Sequence, residues 1–111
     1  LMTIEWADFE KVELRIGTII EVEDFPEAKK PAYKLRVDLG VLGIKKSSAQ
    51  ITALYSKEDL IGKQVLCACN FNPRQVGKFM SEVLVTGLYD ENQAVHLVTV
   101  DGKVPNGARL R

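Results

Sequence analysis

The sequence is poor in the residues that carry most enzyme chemistry. It contains one histidine and two cysteines. His96 lies in an apolar run, and no motif places a serine, a cysteine or a carboxylate beside it, so it reads as a core or interface side chain. Cys67 and Cys69 stand two apart in another apolar run and, in a strand, would face the same way. Neither has a ligand at metal-binding spacing, and both are expected to be buried thiols. A P-loop and a dinucleotide-binding glycine pattern are also missing. These absences lead us to expect no catalytic residue, no metal and no cofactor.

Long apolar runs are lacking too. Nothing approaches the roughly 18 to 20 residues that cross a membrane. The first thirteen residues, LMTIEWADFEKVE, are acidic, without the basic start and apolar body of a signal peptide. The expectation is a cytoplasmic protein without membrane insertion. Net charge is zero, which excludes a protein that coats nucleic acid through charge alone. No linker, repeat or low-complexity segment interrupts the chain. With 111 residues, 46% of them hydrophobic, residues 3–111 are expected to form one domain around one modest core.

The residues that are present are unevenly placed. Up to Glu27 the chain carries eight carboxylates against Lys11 and Arg15, whereas Lys29 to Gln50 carries six cations against Asp38. A polarised molecule is expected, with a basic face able to steer an anionic partner. Trp6 and Phe9 suggest a short helix over Thr3–Lys11, capped by Thr3. Val12, Leu14, Ile16, Thr18, Ile20 and Val22 then alternate with polar neighbours as in a long half-buried strand, and Gly17 marks a bend or bulge. Tyr33, Leu35, Val37 and Leu39 form a second alternating set, leaving Lys34 and Arg36 outward. In the next stretch alternation fails over Lys45, Lys46, Ser47, Ser48 and Gln50. These side chains read as a binding rim beside a bulge or a strand end, the alternative being a plain polar strand.

Tyr55–Gly62 has a Ser56 cap, acidic residues in the first turn and a glycine stop, which predicts a short helix plugging the core. Strands are expected at Gln64–Phe71 and Ser81–Leu88, with a cationic loop between them that carries Pro73, Arg74, Gly77 and Lys78. That loop is either a binding element on a rigid scaffold or a solvated turn. The strands at Gln64–Phe71, Val83–Leu88 and Ala94–Val100 are apolar on both faces. The surplus face calls for a subunit interface or for cover by the N-terminal helix. Asp101-Gly102 and Pro105-Asn106-Gly107 predict turns into a last short strand. Three strands, a short helix and further strands are the order of an all-β OB-fold, a five-stranded Greek-key barrel with a helix between strands three and four, here with an N-terminal helix and a C-terminal β extension.

Four ordered segments carry a family resemblance: VELRIGTI (12–19), AYKLRVDLG (32–40), NFNPRQVGKFMSEVLVTG (70–87) and VPNGARL (104–110). Together they resemble the tRNA-binding domain found at the C-terminus of many methionyl-tRNA synthetases, in the endothelial monocyte-activating polypeptide and as free-standing proteins. Through FPEAKKPAYKLRVDLG and IKKSSAQIT the chain resembles in particular the CsaA group of export-related chaperones in that family. The resemblance implies an OB-fold homodimer that binds unfolded or precursor polypeptides in surface pockets, or alternatively tRNA on the same surface. Asn70, Pro73, Arg74, Gly77 and Ser81 match the family pattern. The third strand reads SSAQI instead of Ser-Gly-Ile, and the loop is less basic, which implies weaker RNA binding. The expected ligand surface, for peptide or RNA, is Lys34, Arg36, Lys45, Lys46, Ser47, Ser48, Gln50, Asn70, Arg74, Lys78, Phe79 and Ser81. Phe71 is expected to point inward.

Overall fold

A computed structural model describes all 111 residues. Strand β1 (Leu14–Asp24) is long enough to serve two neighbours. Its first half pairs antiparallel with β4 (Gln64–Ala68), from Leu14↔Ala68 to Thr18↔Gln64. Its second half pairs with β2 (Tyr33–Asp38), and there the register slips between Ile19 and Glu21. The extra residue reverses the inward set. Ile19 is fully buried and Ile20 exposed, where uninterrupted alternation predicts the opposite. Gly17 is therefore not the bulge. It faces inward, and a Cβ there would lie 2.5 Å from Val37 Cγ1 and 2.7 Å from Leu39 Cδ2. Its missing side chain is the space these two core residues fill.

Strand β3 (Ile44–Ala49) pairs with β2 through six consecutive positions, Tyr33↔Ala49 to Asp38↔Ile44. The expected bulge is absent over Lys45–Ala49, because polar residues here keep the strand period, and the strand end falls at Ala49, just before Gln50. Ser47 and Ala49 point in, and Lys46 and Ser48 point out. Ser47 is thus removed from the expected rim: it is 1% exposed, and its Oγ has no hydrogen-bond partner.

Helix α2 (Lys57–Leu60) follows β3 as expected. Ser56 Oγ accepts the Asp59 N–H at 3.1 Å and the Asp59 carboxylate accepts the Ser56 N–H at 3.2 Å, satisfying donors that a helix start leaves open. Leu60 is fully buried against the barrel core. Helix α1 (Trp6–Glu10) begins later than expected, at Glu5 instead of Thr3, because Asp8 Oδ2 accepts the Glu5 N–H and closes the first turn.

Beyond β4 the chain is more broken than its apolar character suggests. Instead of continuous strands over Gln64–Phe71 and Ser81–Leu88, it forms β5 (Arg74–Val76), β6 (Phe79–Ser81), β7 (Leu84–Val85) and β8 (Gly87–Tyr89), with β9 (Val95–Leu97) paired to β8. The main sheet runs β3-β2-β1-β4-β7. Its two ends meet where the Lys46 carbonyl accepts the N–H groups of Glu82 (2.8 Å) and Val83 (3.3 Å) and the Lys46 N–H donates to Glu82 Oε1. The result is the nearly closed five-stranded antiparallel barrel of an OB-fold, with its helix between the third and fourth strands.

The C-terminal segment lies along β1 where β2 has left it. Gly107 N–H donates to Ile16 O, Ile16 N–H to Ala108 O and Leu110 N–H to Leu14 O. Leu84, Leu88 and Tyr89 are more than half exposed, so the apolar surplus of these strands stays uncovered within one chain. No helix is long and apolar enough to cross a membrane.

Two substitutions test the interior. Gly17→Ala should destabilise the barrel by about 1–3 kcal/mol through overpacking against Val37 and Leu39. Ser47→Ala should leave stability unchanged or raise it by up to about 1 kcal/mol, since it removes a buried hydroxyl without a partner. Urea unfolding measures both, and a clear loss in Ser47→Ala would show that the hydroxyl is bonded.

Candidate ligand surface around the β5–β6 hairpin

Strands β5 and β6 are joined by the two-residue turn Gly77-Lys78, with Gly77 at φ 60°, a conformation that suits a tight hairpin and favours glycine. The hairpin is held by Phe79. Its ring meets Phe25 edge-on at 5.5 Å between centroids. Lys34 Nζ stands 4.9 Å from the Phe25 centroid and 5.7 Å from that of Phe79, and Lys46 Nζ stands 5.2 Å from the Phe79 centroid. Cations on the outer face of β2 and β3 therefore meet the electron-rich faces of two aromatics.

The register also decides the electrostatics. Glu21, Arg36 and Lys46 lie in one row across β1, β2 and β3, and Glu23, Lys34 and Ser48 in the next. Arg36 Nε is 3.4 Å from Glu21 Oε2, and Lys34 Nζ is 3.6 Å from Glu27 Oε2. The acidic and basic halves of the sequence are woven into neighbouring strands, and the expected polarisation is reduced at Arg36 and Lys34. Lys29, Lys30, Lys46, Arg74 and Lys78 keep no ion-pair partner. These are the cations free to meet a ligand.

Four adjoining clefts surround the hairpin. One of about 290 Å³ is lined by the apolar Phe71, Val83 and Leu84 together with Arg74, Ser48 and Ser81. Another, of about 440 Å³, lies between Lys29, Lys30, Gln50, Arg74 and Gln75. Lys78, Phe79, Phe25 and Lys34 border a third, and Lys34, Arg36, Lys46 and Phe79 a fourth. Arg74 is shared by the first two. The structure thus brings together Lys34, Arg36, Lys46, Ser48, Gln50, Arg74, Lys78, Phe79 and Ser81 from the expected set.

Three expected residues do not join them. Ser47 is buried, as described. Lys45 shares the side of β3 that Val37 occupies on β2, borders none of these clefts and lies near Cys69. Asn70 is spent on structure: its Oδ1 accepts the Glu13 N–H at 2.9 Å and its Nδ2 donates to Lys11 O at 2.6 Å, tying the end of β4 to the start of β1. Phe71, expected inside, is 56% exposed, because β4 ends at Ala68 and strand alternation does not extend to it. Sequence reasoning also missed Asn72, Gln75 and Glu82 as lining residues. Lys29 and Lys30, adjacent cations in a proline-bounded loop, were a usable signal.

Groups that could act as nucleophiles are poorly placed. Burial, with a smaller contribution from Cys69, pushes the Cys67 thiol up to about 12, and burial raises Cys69 as well. His96 is exposed on β9 within one chain, which removes the core half of the expected core or interface position. Its Nε2 lies 2.8 Å from Asp90 Oδ2, and this hydrogen bond, with two from backbone N–H groups, holds the Asp90 carboxyl below its ordinary value. No three His, Cys, Asp or Glu side chains form a group that could hold a metal ion.

Comparison with known proteins places the chain in a family. Residues 14–109 match the family described as "Putative tRNA binding domain". The chaperone CsaA from Bacillus anthracis superposes with a TM-score of 0.93 at 44% identity, over 99% of this chain and 100% of that one. CsaA from Picrophilus torridus gives 0.92 at 45% identity, over 98% and 100%. Methionine–tRNA ligase of Methanocaldococcus jannaschii is 37% identical over 97% of this chain, which spans only 16% of the ligase's length. The chain belongs to the tRNA-binding domain family, and within it is similar over its whole length to the CsaA chaperones.

Proposed function

We propose that this protein is a cytoplasmic, export-related chaperone that binds unfolded or precursor polypeptides as a homodimer. The observation that carries this reading is the cleft in which exposed Phe71 and Leu84 stand beside the unpaired Arg74 and two serines. A polypeptide offers apolar side chains together with polar backbone and charged groups, and this cleft matches both. The full-length similarity to CsaA chaperones supports the same reading. Exposed Leu88 and Tyr89, which do not line that cleft, supply an apolar surface of the kind that a second copy covers.

Binding of tRNA on the same surface is the second reading, favoured by the family match. Charge limits it. The net charge is zero, and with Arg36 and Lys34 paired to carboxylates the surface keeps Lys29, Lys30, Lys46, Arg74 and Lys78 for phosphates, fewer than the roughly six to ten contacts of a strongly salt-dependent binder. Affinity for a polyanion falls with salt in proportion to the phosphates contacted.

Sedimentation at micromolar concentration should show one species near twice the 12.4 kDa chain mass, and a monomer there would remove the dimer from the proposal. Binding of an unfolded polypeptide and of tRNA should be measured between about 50 and 200 mM salt. Any tRNA affinity should fall by less than the roughly three to five decades of a binder with six to ten phosphate contacts, while polypeptide binding persists. Arg74→Ala with Lys78→Ala should weaken binding and leave the thermal midpoint close to wild type, since both side chains are exposed. Tight tRNA binding across the salt range with no polypeptide binding would replace the chaperone reading with the second one.

A further inference from the structure

The cleft beside Arg74 has a more specific chemistry than general affinity for unfolded chains. On its lining the Arg74 guanidinium makes no hydrogen bond or ion pair within the chain, and neither the Ser48 hydroxyl nor the Asn72 side chain has a partner. Ser81 is already committed: its Oγ accepts the Ser48 N–H at 3.0 Å and lies 3.5 Å from Val83 O. The free groups lining this cleft of about 290 Å³ are thus a forked cation, a hydroxyl and an amide. Phe71 and Leu84, both more than half exposed, line the same cleft.

We propose that this cleft holds the C-terminal residue of a polypeptide, with Arg74 binding the α-carboxylate and the Phe71–Leu84 wall taking an apolar terminal side chain. The proposal rests on the polypeptide-binding reading above and names the part of the chain that is recognised. A guanidinium binds a carboxylate through two parallel N–H···O bonds, and Ser48 and Asn72 can donate to the remaining lone pairs. The charge balance limits the occupant to one anionic group. Arg74 is the single cation of the cleft, and Glu82, whose Oε1 is held by the Lys46 N–H at 2.9 Å, places a carboxylate on the same lining. One carboxylate fits beside Arg74. A run of phosphates kept within this cleft would meet Glu82 and two apolar side chains, and would reach further cations only by leaving it past Arg74 toward Lys29 and Lys30.

The test uses fluorescein-labelled decapeptides ending in leucine, as the free acid and as the C-terminal amide, with binding followed by anisotropy. A third peptide, amidated but with an aspartate one residue before the end, carries the same charge without the α-carboxylate. The free acid should bind about tenfold more tightly than either amide, the size expected for one charge-assisted interaction. Arg74→Gln should reduce the free acid to the affinity of the amide without lowering the thermal midpoint, and Phe71→Ala should weaken all three peptides. Equal binding of acid and amide, or of acid and the aspartate peptide, overturns the proposal. If no decapeptide binds while a full-length unfolded polypeptide does, the terminal assignment falls and the chaperone reading stands. If only tRNA binds, both fall.

Discussion

The architecture depends on one strand serving two partners. An 11-residue strand cannot pair with both β4 and β2 and still close a small barrel unless it coils sharply, and β1 does so where the register slips past Ile19. That slip keeps apolar residues inside on both sides of the bend, with Gly17 and Ile19 before it and Val22 after it. Gly17 then lets Val37 and Leu39 approach the backbone of β1, where any side chain would collide. Because β1 turns away from β2 at its start, its outer hydrogen-bonding edge is open there. The C-terminal segment fills that edge at Leu14 and Ile16. Curvature, core and C-terminal docking are therefore one constraint seen at three places.

The same register places the ligand surface. Once β2 and β3 are in step, Lys34 and Lys46 project from one face and receive Phe79, so the hairpin is anchored by its own aromatic residue. Its turn and β5 are left free to carry Arg74 and Lys78 into the open. A neutral protein thus presents cations without a basic patch. Carboxylates on β1 and the β1–β2 loop restrain the cations of β2, and those of the hairpin and of Lys29–Lys30 remain unpaired. Selectivity on such a surface comes from where single charges stand beside apolar walls, since the total field is weak.

The alternating strands, the Ser56-capped plug helix, the closing turns and the overall barrel are legible in the sequence because they follow from short-range rules: side-chain period, capping and glycine conformation. Expectation and structure part where a long-range partner intervenes. Polar neighbours make Ser47 look like a surface residue, yet six unbroken pairs with β2 turn it inward. Asn70 has the chemistry of a ligand group, but its amide bridges to Lys11 and Glu13, more than fifty residues away in sequence. Phe71 would lie inside only if the alternation of β4 continued past Ala68, where the strand ends.

By itself, the sequence determined the order of the barrel strands, the position of the plug helix, the outward cations Lys34 and Arg36 and the protruding cationic segment that carries Arg74 and Lys78, all properties of neighbours along the chain. Tertiary structure alone decided which cations are neutralised, which polar side chains are consumed as struts and which apolar residues line a cleft. Those outcomes depend on pairing register and barrel closure, and a one-residue slip such as that at Ile20 exchanges the two faces of a strand without changing a letter of the sequence.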